Sequence, residues 1–363
     1  MKVNIIFICG SAEPGKDGVC DYTRRLCGEL IRTGHDAQII ALCDQEATSF
    51  ISENQKVEGT EVVVHRIPKS TTFNQRLIWS QEIINTVQPD WISLQFVPYS
   101  FNPKGLPFWL RSFLKKLKGN YKWHIMFHEL WLGIDIESSF RQKCIGKLQQ
   151  LIVKKLVHNI NPYLINTQNK LYQFFLQSHN IIAEVLPICG NIPLTAIKKE
   201  ANKCIQFVLF GTIHPGAPFK DFVNDLLLAT STFKKPIKFV FIGKNGTELS
   251  TFTAILENHK IGYEVLGVQS EDVISQVLVN SDFGISTTPY FQTEKSGVYA
   301  AYREHQINTI CVSREWTPTK GQYAIPQIIK YEKNNLNLII PMNVKLVDLN
   351  SITNQFIKSI STL

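Results

Sequence analysis

The feature that most constrains the fold is an alternation between short apolar runs and segments of helical period. In the first half of the chain the apolar runs include KVNIIFICG, AQIIAL, EVVVHRI, WISLQFV and WHIMFHEL. Amphipathic stretches such as DYTRRLCGELIRTG separate them, with Asp21 as the expected N-cap and Gly34 as the expected stop. Strands that alternate with helices in this way predict a parallel sheet that is covered on both faces.

The same alternation starts again in the second half, where the strand-like runs are CIQFVLFG, IKFVFIG, YEVLGV, FGISTT and NTICVS. A chain of 363 residues suits two domains of about 150–200 residues each. The sequence therefore predicts an α/β fold with two tandem, doubly wound, Rossmann-like domains that face each other across a cleft. We expect domains at 1–195 and 204–345, a polar linker at 194–203, and a last helix at 346–363 that packs back on the first domain.

Composition argues against a disordered chain and against a membrane-spanning one. Hydrophobic residues make up 44% of the chain and charged residues 19%. No uncharged apolar run reaches the ~18 residues of a membrane-spanning helix. The eight cysteines form no CxxC pair and no Cys/His cluster, which argues against a zinc site and a disulfide framework. We expect a cytoplasmic protein that needs no metal.

Positive charge is concentrated in one part of the chain. Residues 101–160 contain eleven Lys and Arg but three acidic residues, and this excess equals the whole net charge of +8. Two stretches in it, SFLKKLKG and GKLQQLIVKKLVHN, carry apolar and basic residues at helical spacing. The pattern fits a peripheral contact with the inner face of a membrane, and it fits a solvated basic surface equally well. No nucleic-acid-binding motif accompanies the charge.

Ligands of open parallel sheets bind outside the carboxyl ends of the strands, so the residues after each strand are the candidates for binding. The first strand is followed by GSAEPGKDG, which is neither a dinucleotide fingerprint nor a Walker A motif. It is either an anion-binding loop or a plain connection. FHELW brings His128 to another strand end, and FGTIHPGAPFK offers Gly211, Thr212, His214 and Lys220 for phosphate contact.

The stretch EKSGVYAAYREHQ follows the strand FGISTT and carries the clearest chemistry. Glu294 can accept hydrogen bonds from sugar hydroxyls. The backbone amides of Lys295, Ser296, Gly297 and Val298 begin a helix and can donate to phosphate oxygens. Gly297 removes a side chain where such a group would approach closely. In the structural alternative, Glu294 only interacts with the helix dipole and Lys295 is solvated.

Taken together, these motifs resemble those of GT-B glycosyltransferases, in particular the retaining family 4. The resemblance covers nearly the whole chain and rests, in this order, on DGVCDYTRRLCGELIRTGHD, FHELW, LPICGNIP, FGTIHPG and EKSGVYAAYREHQINTI. It implies transfer of a sugar from a nucleotide-sugar donor, with retention at the anomeric carbon. The implied acceptor is a glycan or a lipid-linked intermediate in cell-surface polysaccharide or glycolipid assembly. The donor is expected on the C-terminal domain, without a metal or another cofactor.

The resemblance also assigns roles to single residues. Glu294 and His128 are the expected catalytic residues, both beside the donor sugar. Gly18 matches a glycine loop near the diphosphate, and Val268 lies where the backbone reads the base. The full set expected to contact the donor is Gly18, Gly211, Thr212, Lys220, Val268, Lys295, Ser296, Gly297, Val298 and Tyr302.

Two positions depart from the family pattern. Tyr302 stands where a second Glu would bind the ribose, so its hydroxyl or a displaced Glu304 is expected to take that part. Thr212 stands where a basic residue usually follows the strand, and Lys220 is the expected substitute.

Two alternatives to a glycosyltransferase stay open on the sequence. A nucleotide-sugar epimerase of the same architecture would need acid and base carboxylates, for which the glycine loop offers Glu13 and Asp17. A non-catalytic homologue that binds a sugar or a nucleotide would explain why the second Glu is absent.

Overall fold

The computed structural model of the chain describes residues 2–195, 203–230, 235–334 and 343–361. The chain divides into two compact units. Unit 1 comprises Met1–Ile188, Pro318–Gly321 and Leu349–Leu363, and unit 2 comprises Cys189–Thr317 and Gln322–Asp348. The first division falls before the domain end that we expected at residue 195. Most of the expected linker, residues 196–202, lies outside the described residues.

Unit 1 is built on an eight-stranded sheet with the order β3-β4-β2-β1-β5-β6-β7-β8. Neighbouring strands are parallel, except that β3 and β4 are antiparallel. The strand order reverses between β1 and β5, which makes the sheet doubly wound. The strands are β1 (Asn4–Cys9), β2 (Asp36–Asp44), β3 (Ile51–Val57), β4 (Thr60–Pro68), β5 (Trp91–Phe96), β6 (Lys122–Phe127), β7 (Leu164–Thr167) and β8 (Glu184–Val185).

The helices of this part of unit 1 are α1 (Gly18–Arg32), α2 (Phe73–Val87), α3 (Pro98–Phe101), α4 (Phe108–Lys116), α5 (Phe140–Ile160) and α6 (Lys170–Gln177). Helix α1 starts one turn earlier than expected. Its N-cap is Asp17, whose carboxylate accepts from the first-turn amides, so the prediction of Asp21 as N-cap is wrong. The predicted stop at Gly34 is confirmed, because this glycine has φ +91° just after the helix ends.

The antiparallel edge of the sheet was not foreseen. Strands β3 and β4 form a hairpin whose two-residue turn is Glu58–Gly59, with φ of +47° and +84°. Two positive φ values define the type I′ turn that suits hairpins. The strand ISENQKV lacks an apolar alternation, because apolar residues stand only at its two ends and polar residues fill the positions between them, so its only sequence signal is the turn glycine.

Unit 2 contains a six-stranded sheet with the order β11-β10-β9-β12-β13-β14, in which every neighbouring pair is parallel. Its helices are α7 (Phe219–Thr230), α8 (Leu249–Asn258), α9 (Glu271–Val279) and α10 (Gly297–Glu304), and a 3-10 turn at Tyr290–Lys295 precedes α10. The strands are β9 (Ile205–Phe210), β10 (Ile237–Ile242), β11 (Gly262–Gly267), β12 (Phe283–Ser286), β13 (Asn308–Cys311) and β14 (Ile328–Lys330).

One face of the unit 2 sheet depends on Tyr302 of α10. The phenol ring is fully buried and lies over Gly284 of β12. A Cβ at Gly284 would stand 2.6 Å from two ring carbons, so no larger residue fits beneath this ring. The Phe210 N–H donates to the Tyr302 hydroxyl at 3.1 Å, and the hydroxyl lies 3.1 Å from the Val208 carbonyl oxygen. The same hydroxyl is 3.2 Å from the carbonyl oxygen of Ile285, so it joins β9 to β12.

The last helix of the chain, α11 (Leu349–Ser361), belongs to unit 1. Phe356 lies against Phe7 of β1 and His124 of β6, with ring centroids 6.2 Å and 5.1 Å away. Gln355 Nε2 donates to the carbonyl oxygen of Val185 in the edge strand β8 at 2.9 Å. The apolar face of α11 thus covers the sheet that the first half of the chain forms.

We expect Gly284→Ala to destabilise unit 2 by about 1–3 kcal/mol, because the added methyl group would overlap the Tyr302 ring. Gly262→Ala is the matched control, since a Cβ at this strand position of the same sheet meets no atom within 4 Å. Both changes in unfolding free energy are measured by urea titration, with the hydrogen exchange of the amides in each unit as the readout. Equal effects of the two substitutions would contradict the packing argument.

Candidate functional site

The strand order of unit 2 reverses between β9 and β12. The two strands pair at Phe283 with Phe207 and at Gly284 with Val208, and this pairing does not extend to their carboxyl ends. A crevice at such a reversal is the usual ligand site of an open α/β sheet. The geometry of unit 2 therefore directs attention to the residues that follow β9 and β12.

The crevice is lined by the chain after both strands. Gly211 and Thr212 follow β9, Thr287 and Thr288 follow β12, and Val298 comes from α10. Gly211 has φ +73°, a backbone conformation that favours glycine, and a Cβ there would lie 3.3 Å from Val298. The sequence prediction thus placed Gly211, Thr212 and Val298 in one place, and the structure brings them together.

A buried hydroxyl in this crevice is left unused by the protein. Ser286 lines the crevice and is 2% exposed, and within the described part of the chain its Oγ has no hydrogen-bond partner. The neighbouring hydroxyls differ, because Thr287 Oγ1 accepts from the His214 N–H at 2.8 Å and Thr288 Oγ1 donates to Ser296 Oγ at 3.5 Å. A buried hydroxyl without a partner is costly, so this position suits a polar ligand.

The N-terminus of α10 opens beside the crevice. Ser296 is the N-cap residue, but its side chain makes no capping hydrogen bond. The first-turn amides of an α-helix have no acceptor within the helix, and the dipole gives this end a partial positive charge. A Cβ at Gly297 would meet no atom closer than 4.0 Å, so packing does not require glycine there. An anionic group is the ligand that such a helix start favours.

Three basic residues belong to this region: His214, Lys295 and Arg314, and the last two act electrostatically on the first. Partial burial, together with the positive charges of Arg314 and Lys295, lowers the pKa of His214. Lys295 immediately precedes the N-cap of α10, and Arg314 follows β13. Positive groups beside a helix N-terminus suit a ligand with more than one phosphate.

Glu294 has a partner that the sequence did not reveal. It lies half-buried in the 3-10 turn before α10, and the Tyr323 hydroxyl donates to its Oε2 atom in a short hydrogen bond. The Tyr323 ring packs near Phe291, with centroids 6.1 Å apart. The tyrosine therefore fixes the orientation of the Glu294 carboxylate.

Neither expected ribose ligand of α10 lines the crevice. Burial raises the pKa of Tyr302, whose hydroxyl is already bonded to strand backbone. Glu304 is 3% exposed, and its Oε2 accepts from the Gly190 N–H at 3.1 Å. Both side chains stabilise unit 2, so the expectation that Tyr302 or Glu304 contacts a ribose has no support in this geometry.

Two other predicted donor contacts lie apart from the crevice lining. Lys220 is exposed in the first turn of α7, and Val268 follows β11 with 68% of its surface exposed. Their contacts with a donor stay predictions.

In unit 1 the corresponding anion site is already occupied by the protein. Asp17 Oδ1 accepts from the amides of Val19 and Cys20, so the start of α1 at Gly18 carries its own carboxylate. A phosphate at Gly18 would have to compete with Asp17 for these amides. The Glu13 carboxylate of the same loop pairs with Arg66.

His128 is a buried, neutral member of a hydrogen-bond chain in unit 1. It is 2% exposed, and burial, with a smaller contribution from His124, lowers the pKa of His128 to about 3. Gln168 Nε2 donates to its Nδ1 at 2.7 Å, which leaves Nε2 to donate to Gln95 Oε1 at 2.8 Å. Both ring nitrogens are therefore engaged with protein groups.

The chain of hydrogen bonds continues from Gln95 across the sheet, and each group donates to the next one. Gln95 Nε2 donates to Ser93 Oγ at 2.7 Å, and Ser93 Oγ lies 2.7 Å from His124 Nδ1. His124 Nε2 then lies 3.0 Å from Asn166 Oδ1, and Asn166 Nδ2 donates to the Glu184 carbonyl at 3.2 Å. Burial lowers the pKa of His124 to about 3. Both imidazoles thus act as neutral links with defined tautomers.

The remaining candidate features concern the cysteines, metal ions and membranes. All eight cysteines are free thiols. Within the residues that the structure describes, no three His, Cys, Asp or Glu side chains are grouped to hold a metal ion. No helix in that part of the chain is long and apolar enough to cross a bilayer.

No protein-family model and no curated protein matches the chain. Solved structures do match. HepE of Anabaena in complex with UDP has a TM-score of 0.60 and 12% identity, covering 99% of this chain and 100% of that chain. The catalytic domain of starch synthase IV from Arabidopsis thaliana, bound to ADP and acarbose, has a TM-score of 0.58 and 11% identity, covering 100% and 99%. The chain has the GT-B fold.

A third neighbour belongs to a different class of enzyme. A Listeria monocytogenes structure assigned as a UDP-N-acetylglucosamine 2-epimerase has a TM-score of 0.54 and 10% identity, covering 100% of this chain and 96% of that chain. At this level of identity the GT-B fold is what the chain shares with these proteins, and the similarity does not carry their activities over.

Sequence reasoning missed several residues around the crevice of unit 2. Arg314 follows the strand NTICVS, so the rule of looking after each strand would have found it, whereas Ser286 lies inside the predicted strand FGISTT and would not have been found in this way. Tyr323 could not have been found in this way, because it lies in an irregular segment 29 residues from its partner Glu294.

We predict that unit 1 loses stability on acidification. His124 and His128 have a pKa of about 3 in the folded chain against an ordinary 6.5, so below pH 6.5 the unfolded chain binds more protons. Each imidazole then costs up to about 1.4 kcal/mol per pH unit. Urea unfolding of unit 1 at about pH 7 and about pH 5 measures the slope.

A substitution that only disturbs packing changes the unfolding free energy by a similar amount at each pH, whereas loss of a titrating group changes the slope of that free energy against pH. The slope therefore distinguishes the two effects. His124→Gln should reduce the pH slope by up to about 1.4 kcal/mol per pH unit, whatever its effect at neutral pH. His158→Gln, at an exposed position of α5, should leave the slope unchanged. A slope that survives His124→Gln in full would show that these imidazoles are not the titrating groups.

Proposed function

We propose that this chain is a glycosyltransferase of the retaining family 4 type, which transfers a sugar from a nucleoside diphosphate to an acceptor. The observation that carries the proposal is the uncapped start of α10 beside the crevice between β9 and β12. Lys295 and Arg314 supply positive charge near it, and they keep His214 neutral. Two neighbours of the same fold, HepE and starch synthase IV, hold UDP and ADP.

In the proposed reaction the bond between the anomeric carbon and the diphosphate oxygen breaks, and its electron pair stays on the diphosphate. The acceptor hydroxyl oxygen bonds to the anomeric carbon, and its proton leaves with the diphosphate. The α10 dipole and the nearby cations stabilise the charge on the leaving group, which is the part that a metal plays elsewhere. Glu294, oriented by Tyr323, accepts hydrogen bonds from the donor sugar.

The other predicted residues enter the proposal in supporting parts. Gly211 and Thr212 allow the diphosphate to approach the backbone after β9, and the amides of Ser296, Gly297 and Val298 donate to it. His128 has its part beside the donor sugar as a neutral group, because its low pKa rules it out as a base at neutral pH.

A second candidate function is a non-catalytic homologue that binds a nucleotide or a sugar. The observation that favours it is that the one carboxylate of α10, Glu304, is buried against Gly190 while Tyr302 is buried in the sheet. The epimerase alternative loses support, since Glu13 pairs with Arg66 and Asp17 caps α1.

We expect one of UDP, GDP, ADP or dTDP to raise the thermal stability of the chain. A ligand at about 100 times its dissociation constant adds about 2.7 kcal/mol to the unfolding free energy. Lys295→Ala and Arg314→Ala should each weaken this binding about tenfold to hundredfold, as expected for a lost charge-assisted hydrogen bond. Thermal shift and isothermal titration measure both effects.

Lys260→Ala is the matched control for these variants, because this exposed lysine precedes β11 at the opposite end of the strands. Its affinity should equal that of the unchanged chain. If all four nucleotides leave the melting temperature unchanged, both enzyme readings fail. If binding occurs but no nucleotide is released with any acceptor, and Glu294→Ala changes nothing, the non-catalytic reading is the better one.

We propose further that the acceptor is a glycan or a lipid-linked intermediate and that the protein works at the cytoplasmic face of a membrane. The support is the exposed face of α5, which we call the basic face. The helix contains no acidic residue. Its exposed side combines apolar with positively charged residues: Phe140, Arg141, Lys143, Cys144, Lys147, Leu148, Leu151, Lys154, Lys155 and His158.

The apolar part of the basic face is substantial. Phe140 is 83% exposed, and Leu148 and Leu151 are each 43% exposed. Their spacing along the helix matches that of the lysines, so both kinds of residue project from one side. Apolar residues among lysines are the composition that lies in the interface of an anionic bilayer.

We predict that the full chain co-sediments with vesicles of phosphatidylglycerol but not with vesicles of phosphatidylcholine alone. Lys154→Glu with Lys155→Glu should lower the vesicle affinity about tenfold or more, since each basic residue near an anionic surface adds about 1 kcal/mol. Lys244→Glu with Lys260→Glu makes the same change in net charge on unit 2 and should retain binding. Equal loss in both double variants would contradict the assignment to α5.

A further inference from the structure

Unit 2 contains a second cavity, separate from the crevice between β9 and β12. It lies after β13 and before the last strand β14, and its volume is about 200 Å³. Its lining includes Tyr290, Phe291, Ser313, Trp316, Thr317 and Lys330. Of the residues assigned so far to the proposed reaction, Arg314 also lines this cavity, and the other lining residues have no part in that reaction.

The lining combines aromatic rings with short polar groups. The rings of Tyr290 and Phe291 stand at 77° to each other, with centroids 5.2 Å apart, so they form a corner rather than a parallel slot. Lys330 Nζ lies 5.9 Å from the centroid of the Tyr290 ring. Hydroxyls of Ser313 and Thr317 and the amide of Gln322 complete the lining. A corner of rings with hydroxyls and an amide suits a ligand ring that carries several hydroxyl groups.

The size of the cavity limits the ligand. Drug-sized ligands occupy pockets of roughly 300–1,000 Å³. A cavity of about 200 Å³ is below this range and is larger than the roughly 30 Å³ of a single water. It is therefore suited to one six-membered sugar ring and too small for a nucleotide.

The cavity adjoins the candidate donor site. Arg314 lines the cavity and is one of the cations that act on His214. On its other side, the ring of Phe291 packs near Tyr323, which holds the Glu294 carboxylate. A ligand in the cavity would lie next to the groups that the proposed function assigns to the donor diphosphate and the donor sugar.

We infer that this cavity is a carbohydrate subsite that binds one pyranose ring, in addition to the donor sugar at Glu294. The inference rests on the proposed function for the source of the ring, which is a sugar unit of the acceptor glycan. Trp316 and Tyr290 provide apolar ring surface, while Ser313, Thr317 and Lys330 provide hydrogen bonds to hydroxyls.

Trp316 allows a direct test with the full chain. The other five tryptophans, at 79, 91, 109, 123 and 131, belong to unit 1, so Trp316 is the sole tryptophan of unit 2. Fluorine NMR of a chain labelled with fluorotryptophan reports on it, and Trp316→Phe assigns its resonance. The probes are glucose, galactose, mannose, N-acetylglucosamine and glucuronate, each titrated to its solubility limit, and each of UDP, GDP, ADP and dTDP in a separate arm.

We expect at least one of these sugars to shift the Trp316 resonance with a saturable curve, whether or not a nucleotide is bound. Thr317→Phe fills the cavity and should weaken the sugar response at least tenfold, while the nucleotide thermal shift stays unchanged. Thr247→Phe makes the same substitution at an exposed position outside the cavity and should leave the sugar response intact.

Two results would overturn the subsite. The first is a Trp316 resonance that no sugar shifts, and the second is a sugar response that Thr317→Phe leaves at full strength. If a sugar shifts the Trp316 resonance but no nucleotide binds the chain, the result supports the subsite and contradicts the proposed function. The nucleotide arm thus separates failure of the subsite from failure of the donor site.

Discussion

The crevice of unit 2 depends on the hydroxyl of Tyr302. Strands β9 and β12 stop pairing after Val208 and Gly284, and beyond that point buried backbone groups need other partners. The Tyr302 hydroxyl accepts from the Phe210 N–H and can donate to the carbonyl of Val208 or Ile285. It therefore replaces ladder hydrogen bonds for the Phe210 N–H and for one of these two carbonyls at the point where the strands separate. A carboxylate at position 302 would be buried here without a cation, which is far more costly.

Each unit has one helix start that could bind an anion: that of α1 in unit 1 and that of α10 in unit 2. The two helix starts differ in whether the protein itself satisfies their amides. Asp17 caps α1, and its carboxylate already satisfies the amides of Val19 and Cys20. Ser296 leaves the start of α10 uncapped, and the cations Lys295 and Arg314 add to its positive potential. The same fold therefore closes one possible anion site and keeps the other open. Because an additional anion would have to displace Asp17 in unit 1, an anionic group is better accommodated in unit 2.

The elements that sequence reasoning predicts well are those whose burial creates a period. The inner strands and the amphipathic helices of both sheets were foreseen, since their apolar residues recur at strand or helix spacing, whereas the short edge strands β8 and β14 were not. The edge strand Ile51–Val57 was missed because its inner positions are all polar and give no apolar period, although Gln55 among them is buried. Among site residues, those that directly follow a strand, such as Gly211 and Thr212, were predictable from topology. The pairing of Tyr323 with Glu294 was not, because it joins irregular segments whose approach depends on tertiary packing.

The neutral state of His128 limits how the proposed reaction can proceed. Its Nδ1 is committed to accepting from Gln168 and its Nε2 to Gln95, and its pKa of about 3 leaves it a poor base at neutral pH. Breaking this arrangement would also disturb Ser93 and His124, since the hydrogen bonds run in one direction across the sheet. Removal of the acceptor proton therefore falls to a group outside this chain of hydrogen bonds. In the proposed reaction the departing diphosphate meets that requirement, because it gains negative charge at the moment when the acceptor must lose its proton. The groups that are proposed to hold this diphosphate belong to unit 2.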